Sequence, residues 1–325
     1  MAINSTALGM SLGGCRLWGY RTPGEGVSDA LRLSRAMTLK AAVAGVPLGG
    51  GKGVIMRPLG APLPSRRRHA ALLDFADLVE SLEGRYVTAE DVGTSSRDMS
   101  VIAQRTAHVA GLSRRRGGSG DPSPLTALGV LEAIRATCER IFGDSSLAGR
   151  SVCVLGLGHV GSRVARLCSR AGAAVTVSDV DPAPRALADA FGWRWIDPRH
   201  AARTRVDVLA PCALGGLLTE RSVPSLRCRG IAGAANNQLE SERVARLLAR
   251  RQILWAPDFV ANAGGLINIA EEIGGYDAAA ARARVRSIGD TLRLIYDRAQ
   301  HDRTTPLAAA LELARLRLAS ATYAS

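Results

Sequence analysis

Apolar positions in this chain keep two different periods, and the change falls about a third of the way along. In the first third, short apolar runs mix with helical patterns. Ser28–Met37 spaces its apolar residues as a helix does, behind a serine, which predicts a helix capped by Ser28. His69–Leu82 reads as a second helix. Arg85–Gly93 reads as a strand running into a loop. The breaker-rich stretch Arg114–Pro124 ("RRRGGSGDPSP") marks the junction, and a helix over Thr126–Ile141 follows it. Beyond that point strand and helix patterns alternate. "SVCVLG", "AVTVSD", "VDVLAPC", "RGIAGAA" and "ILWAPDF" read as strands. "VGSRVARLCSRAG", "PAPRALADAFG" and "SERVARLLARRQ" read as helices. This alternation predicts an α/β fold with a parallel sheet. Helical material runs from about Ala261 to the end, with a break near Arg303–Pro306.

Composition narrows the class. The chain has 325 residues, enough for about two domains. Its net charge of +13 raises the question of nucleic acid. The arginines, however, are scattered along helical segments. The two dense clusters, Ser65–His69 and Ser113–Gly118, interleave no aromatics and read as solvated loops, so no nucleic-acid partner is expected. The six cysteines form no C-x-x-C pair and no Cys/His ligand spacing, which points away from a metal site and toward small buried thiols. No apolar stretch reaches membrane-spanning length, and the N-terminus is not patterned as a signal peptide. A cytoplasmic protein with no membrane partner is expected.

"VLGLGHVG" carries the first candidate chemistry. Gly156, Gly158 and Gly161 keep the G-x-G-x-x-G spacing between a strand and a helix. That spacing fits a tight turn, a close approach of pyrophosphate to the backbone, and close helix–strand packing. Asp179 ends the next strand, where an acid can accept hydrogen bonds from an adenosine ribose. A carboxylate there repels a 2′-phosphate, and no arginine follows until Arg185, so NAD is favoured over NADP.

The second candidate is a pair of lysines. Among 42 Lys plus Arg residues only Lys40 and Lys52 are lysine, and both lie in "LKAAVAGVPLGGGKGV". A lysine amine can lose its proton when buried or crowded by another cation. A guanidinium cannot. The run is not a P-loop, because Val46 and Gly53 stand where that motif needs glycine and Ser/Thr. Its glycines suggest instead a backbone that approaches a small ligand and sets Lys52 at the edge. Glu90 and Asp91 follow a short apolar strand. Taken alone, the pair reads as readily as a cap or solvated turn as it does as a catalytic acid.

In order, "MTLKAAVAGVPLGGGKGV", "RYVTAEDVGT", "GSGDPSPLTALGV", "GLGHVG", "APCALGG", "AGAANNQL" and "DFVANAGGLIN" resemble the Glu/Leu/Phe/Val dehydrogenase family, and most of all its short leucine, valine and phenylalanine branch. The resemblance implies an N-terminal α/β substrate domain and a Rossmann-type NAD-binding domain with a cleft between them. It also implies a homo-oligomer and NAD-dependent oxidative deamination of an L-amino acid. It places the substrate domain at 1–125, the dinucleotide domain at 126–300, and a C-terminal helix at 301–325 that returns to the first domain. Lys40 would hold the substrate carboxylate, helped by Asn262. Lys52 would be the general base, its pKa lowered by the nearby Lys40, and Asp91 would exchange protons with the substrate nitrogen. His159 and Val160 sit inside the glycine fingerprint, with histidine where the family commonly has asparagine. Cys212, Ala213 and Asn237 would lie along the cofactor, with Thr126 near the nicotinamide. Leu12 occupies the slot where glutamate dehydrogenases carry lysine before "GG-x-R". With Ala89, Leu266 and Ile269 it would make an apolar side-chain pocket. Family members usually carry a further helix and strand upstream of "NSTALG", so the first domain is expected to be short. A non-catalytic paralogue is the competing expectation, and an aromatic substrate is the competing specificity.

Overall fold

The computed structural model describes residues 1–322. The chain forms two compact units. One comprises Met1–Pro122, Leu266–Ala281 and the chain from Leu313 onward. The other comprises Ser123–Gly265 and Arg282–Glu312. This partition differs from the division into 1–125, 126–300 and 301–325. Leu266–Ala281 goes with the first unit, and the last helix, Pro306–Thr322, changes unit at Leu313.

The first unit is built on four strands, β1 (Ala2–Ser5), β2 (Ser11–Gly19), β3 (Gly49–Arg57) and β4 (Tyr86–Glu90), in the order β1-β3-β2-β4. β2 runs parallel to β3 and β4, while β1 is antiparallel to β3. Helix α1 (Pro23–Ala44) is longer than the Ser28–Met37 pattern suggests, and Ser28 is not its cap. Thr22 accepts a hydrogen bond from the Glu25 N–H at 3.3 Å, Pro23 opens the first turn, and Gly45 closes the helix in the left-handed region. Helix α2 (Ser65–Glu80) begins at the "SRRRH" cluster. That cluster is therefore a first helical turn rather than a loop. Arg68 within it donates 3.0 and 2.8 Å bonds to Asp98, the acid of the capping box that opens α3 (Ser96–Ile102). The second cluster, near Arg114–Arg116, forms a short exposed turn.

The parallel register sorts the residues of this sheet onto two faces. Leu12 pairs with Gly50 and Val87, Gly14 with Ala89, and Arg16 with Val54. Period two then puts Leu12, Gly14, Arg16, Lys52 and Ala89 on one face. α1 packs on that face, where a Cβ at Gly50 would lie 2.1 Å from the Thr38 backbone nitrogen. The opposite face carries Cys15 and Tyr86 and packs on Leu72, Phe75 and Val79 of α2 and Met99 and Ile102 of α3. Tyr86 donates a buried 2.6 Å hydrogen bond to the Gly13 carbonyl, so its polar end is satisfied inside an apolar cluster.

The second unit is a six-stranded, wholly parallel sheet. Its strands are β5 (Ser151–Leu155), β6 (Ala174–Ser178), β7 (Arg194–Trp195), β8 (Val206–Pro211), β9 (Cys228–Ile231) and β10 (Leu254–Trp255). Their order, β10-β9-β8-β5-β6-β7, is the doubly wound arrangement of a dinucleotide-binding fold, with its switch point between β5 and β8. The interior strands are apolar on both faces because helices cover both. Val152, Cys153 and Val154 of β5 are fully buried. Helix α4 (Ser123–Phe142) packs on β9 at Gly230, where a Cβ would meet Thr137 at 2.6 Å. Helix α5 (Gly161–Arg170) follows the glycine loop. All six cysteines are free thiols. Among the described residues no helix is long and apolar enough to cross a membrane.

Candidate active site

In the first unit the chemistry gathers on the face of the sheet that carries Lys52. This lysine stands on β3 and is only 5% exposed. Its Nζ lies 2.7 Å from Oδ2 of Asp91, the residue after β4. Gly14 makes the approach possible, because a side chain there would place its Cβ 2.7 Å from the Asp91 Cβ. The turn that presents Asp91 is locked. The Asp91 N–H donates to Thr94 Oγ1 at 2.9 Å, and the Thr94 hydroxyl donates to the Cys15 carbonyl at 2.7 Å. Gly93 takes φ +83°, and a Cβ there would lie 1.9 Å from the Leu17 carbonyl oxygen.

A third charged group completes the cluster. Arg16 Nε donates to the same Asp91 Oδ2 at 2.9 Å, and its Nη1 reaches Asp29 of α1 at 2.9 Å. Burial lowers the pKa of Lys52. Asp91 opposes that shift, and the Arg16 cation adds to it. Burial works against the Asp91 carboxylate, but the Lys52 and Arg16 cations together more than offset it and hold its pKa below the usual range. Arg16 is thus a like charge at Lys52 that the sequence does not single out. Lys40 lies half-buried on α1.

The glycines around Lys52 also differ from expectation. They are not a loop open to a ligand. Gly49, Gly50, Gly51 and Gly53 belong to a central strand, and protein fills the space around each. An added Cβ would meet Ser5, Thr38, Ser11 and Phe75 at 2.0, 2.1, 2.3 and 2.4 Å respectively. Lys52 reaches its partner because the strand is packed this closely, not because backbone is exposed.

Leu12 and Ala89 share the Lys52 face at 2% and 3% exposure. Leu266 and Ile269 lie three apart on the helix Gly264–Ala270, in the segment that clusters with the first unit. Leu266 is buried and Ile269 half-buried.

In the second unit the glycine loop has the form a dinucleotide needs. Gly156 turns at φ +98° against Ala213, and a Cβ at Gly161 would lie 1.9 Å from the Gly156 carbonyl oxygen. A Cβ at Gly158, in contrast, would meet nothing within 4 Å. That open space lies where a pyrophosphate approaches the backbone, and the residues present fit the group. His159 is exposed beside it, and Val160 precedes α5. Asp179 Oδ2 accepts from the Leu157 N–H at 2.6 Å, which ties the acid to the loop, and Oδ1 accepts from Asp181 N–H at 2.9 Å. An ionised carboxylate has room for further donors. Cys212 and Ala213 follow β8. Asn237 follows β9 in a left-handed conformation (φ 52°) that asparagine tolerates. Thr126 is half-buried in the first turn of α4. The Asn262 amide donates to Ala234 O at 3.1 Å and Asn236 Oδ1 at 2.7 Å.

Residues 1–108 match the Glu/Leu/Phe/Val dehydrogenase dimerisation domain. Residues 117–183 and 187–323 match the glutamate/leucine/phenylalanine/valine dehydrogenase domain. The chain belongs to the Glu/Leu/Phe/Val dehydrogenase family. It is 40% identical to leucine dehydrogenase of Thermoactinomyces intermedius, over 98% of this chain and 86% of that one. It is 44% identical to valine dehydrogenase of Streptomyces virginiae, over 99% and 90%. The crystal structure of L-tryptophan dehydrogenase from Nostoc punctiforme superposes with a TM-score of 0.87 at 38% identity, covering 99% of this chain and 92% of that one.

For this member of the family, sequence reasoning missed Arg16, Gly14 and Thr94 around Asp91. Arg16 stood in plain view as the arginine of "GG-x-R". Its partner is 75 residues away, and no local pattern connects the two.

Proposed function

We propose that this protein catalyses the reversible, NAD-dependent oxidative deamination of a branched-chain L-amino acid to its 2-oxo acid and ammonium. The pair formed by buried Lys52 and half-buried Asp91, 2.7 Å apart on a face that also presents Leu12 and Ala89, carries the reading. In balance, the amino acid, NAD⁺ and water give the 2-oxo acid, ammonium, NADH and a proton. Held by Gly156, Gly158, His159, Val160 and Gly161, with Asp179 at the ribose, Cys212, Ala213 and Asn237 alongside and Thr126 near the nicotinamide, the cofactor would take up the hydrogen and two electrons leaving the substrate α-carbon.

The remaining steps belong to the chain's own groups. Lys40, with Asn262, would pair with the α-carboxylate. Asp91 would accept a proton from the substrate ammonium and later return it to the departing nitrogen. Lys52 would take a proton from the water that adds to the imine carbon, a task its lowered pKa suits. The C–N bond then breaks as the water oxygen becomes the new carbonyl.

The Asp179 carboxylate repels a 2′-phosphate and so supports NAD over NADP. Leu12, Ala89, Leu266 and Ile269 would form an apolar pocket that leaves a polar side chain unpaired. The match of residues 1–108 to a dimerisation domain supports a homo-oligomer. The likeness to L-tryptophan dehydrogenase, 42% identical over 98% of this chain, favours an aromatic substrate as the second reading. One panel decides between them: NADH absorbance with each L-amino acid in turn. Valine, leucine or isoleucine should be fastest. An aromatic optimum selects the second reading. No NAD⁺ reduction with any L-amino acid refutes both.

A further inference from the structure

We propose that Arg16 is a positioning residue for proton transfer: its guanidinium clamps one oxygen of Asp91 and leaves the other to face the substrate nitrogen. The proposal rests on the role given to Asp91 above.

Lys52 Nζ and Arg16 Nε both meet Asp91 Oδ2, at 2.7 and 2.9 Å. Among the described residues no hydrogen bond is donated to Oδ1. A carboxylate pinned this way cannot turn about its Cβ–Cγ bond without breaking two charge-assisted contacts, so Oδ1 keeps a fixed direction. Arg16 is itself anchored. Its Nη1 bonds Asp29 Oδ2 at 2.9 Å, and the same oxygen accepts the Tyr20 hydroxyl at 2.7 Å. Arg32 holds the other oxygen of Asp29 at 2.5 Å. Two separate nitrogens of one planar fork thus span two carboxylates on different elements. An ammonium, as a point charge, could not do this. β2 contributes twice to Asp91: Gly14 gives its Cβ room, and Arg16, two residues on along the same face, fixes its oxygen.

The charges alternate through the cluster: Lys52 from β3, Asp91 after β4, Arg16 on β2, then Asp29 and Arg32 on α1. Lys40 is also on α1, and Tyr20 follows β2. The Cys15 thiol on the opposite face is pushed up to about 12, chiefly by burial, and stays protonated. The sign of each perturbation follows. Removing Arg16 takes a stabilising cation from Asp91 and a repelling cation from Lys52, so both pKa values rise. Removing the charge of Asp29 does the reverse to both. Arg16, Asp29 and Arg32 border an open cavity of about 790 Å³, so water can fill the space left by a shortened side chain.

The test uses the full chain and three variants. In Arg16→Met, the Asp91 carboxyl pKa, read by ¹³C NMR without substrate, should rise by about 1 unit. The kcat/KM profile should move to higher pH. The rate constant kcat should fall ~10- to 100-fold with KM little changed, as expected when a reacting group is misplaced while substrate binding is preserved. Arg16→Lys should restore the pH profile but not the rate, since it returns the charge without the fork. Asp29→Asn should shift the profile the opposite way, and it decides the matter if Arg16→Met does not fold. An unmoved Asp91 titration in Arg16→Met, or an unmoved profile in Asp29→Asn, overturns the proposal. If the wild type oxidises no L-amino acid, the functional reading fails, but the NMR titration still tests the clamp.

Discussion

On β3, protein occupies the space that a side chain would need at every glycine from Gly49 to Gly53. In the loop after β5, the first and third glycines are equally hemmed in, but Gly158 faces open space. The two segments look alike as strings of letters. One is glycine-rich because strands and helices must come close. The other is glycine-rich because something outside the chain must come close. The neighbours distinguish them: a filled surround marks packing, and a single gap in an otherwise filled surround marks a ligand. The first unit uses its glycines to bring Lys52, Arg16 and Asp91 together. In the glycine loop of the second unit, Gly158 alone has open space beside it.

The largest expected effect tests what the close-packed strand delivers. Lys52→Arg keeps the positive charge and removes the ability to act as a base. Turnover should fall by ~10²–10⁴-fold while NADH binding, measured by fluorescence, stays near normal. Retention of more than about a tenth of the rate contradicts the assignment. Gly50→Ala tests the packing itself. Its Cβ would sit 2.1 Å from the Thr38 backbone nitrogen, which no rotamer can relieve, so a loss of about 3 kcal/mol is expected. Urea denaturation should show a markedly lower midpoint. An unchanged midpoint would falsify the packing account of the β3 glycines.

The same contrast explains what could be read from sequence. The second unit was largely legible. Its buried parallel strands are short apolar runs, and the glycine spacing carries a mechanism of its own. Even there, β7 escaped, being only Arg194–Trp195. The first unit was not legible in the same way. β3 contains four glycines, which strands ordinarily avoid, so the segment reads as a loop until Thr38, Tyr86 and Phe75 are seen around it. The start of α1 was hidden because Ser28 offers a plausible cap six residues inside the true one at Thr22. Lys52 and Asp91 could be picked out as residues. Arg16 could not be connected to them, because the link is a tertiary contact made by strand register.

Gly158→Ala is the counterpart of Gly50→Ala and should behave oppositely. Gly158 is not in the left-handed region, and an added methyl meets no protein atom, so thermal stability should hold or rise slightly. NADH affinity should fall by about tenfold, equivalent to ~1.4 kcal/mol of misfit at the pyrophosphate. Equal NADH affinity with the alanine in place would show that the gap is not where the cofactor approaches.

The smallest expected effect concerns the side-chain pocket proposed for the first unit. Leu266 and Ile269 are bulky aliphatics at helical spacing, and Leu12 and Ala89 share the buried face of the sheet with Lys52. If the four residues line one cavity, they shorten it. A branched aliphatic substrate should then exceed phenylalanine by about tenfold in kcat/KM, which is what one or two methylenes of steric misfit are worth. Leu266→Ala should narrow that ratio to about threefold by admitting part of a ring. The cost to the leucine rate should be modest, because Leu266 takes no part in the proton transfers. The likeness to a tryptophan dehydrogenase makes this the most exposed of the predictions. A wild type that turns over tryptophan or phenylalanine best would mean that these aliphatic side chains do not close the cavity. The reading of the Lys52–Asp91–Arg16 cluster would be untouched by that result, since the α-amino group proposed as its target is common to every substrate in the panel.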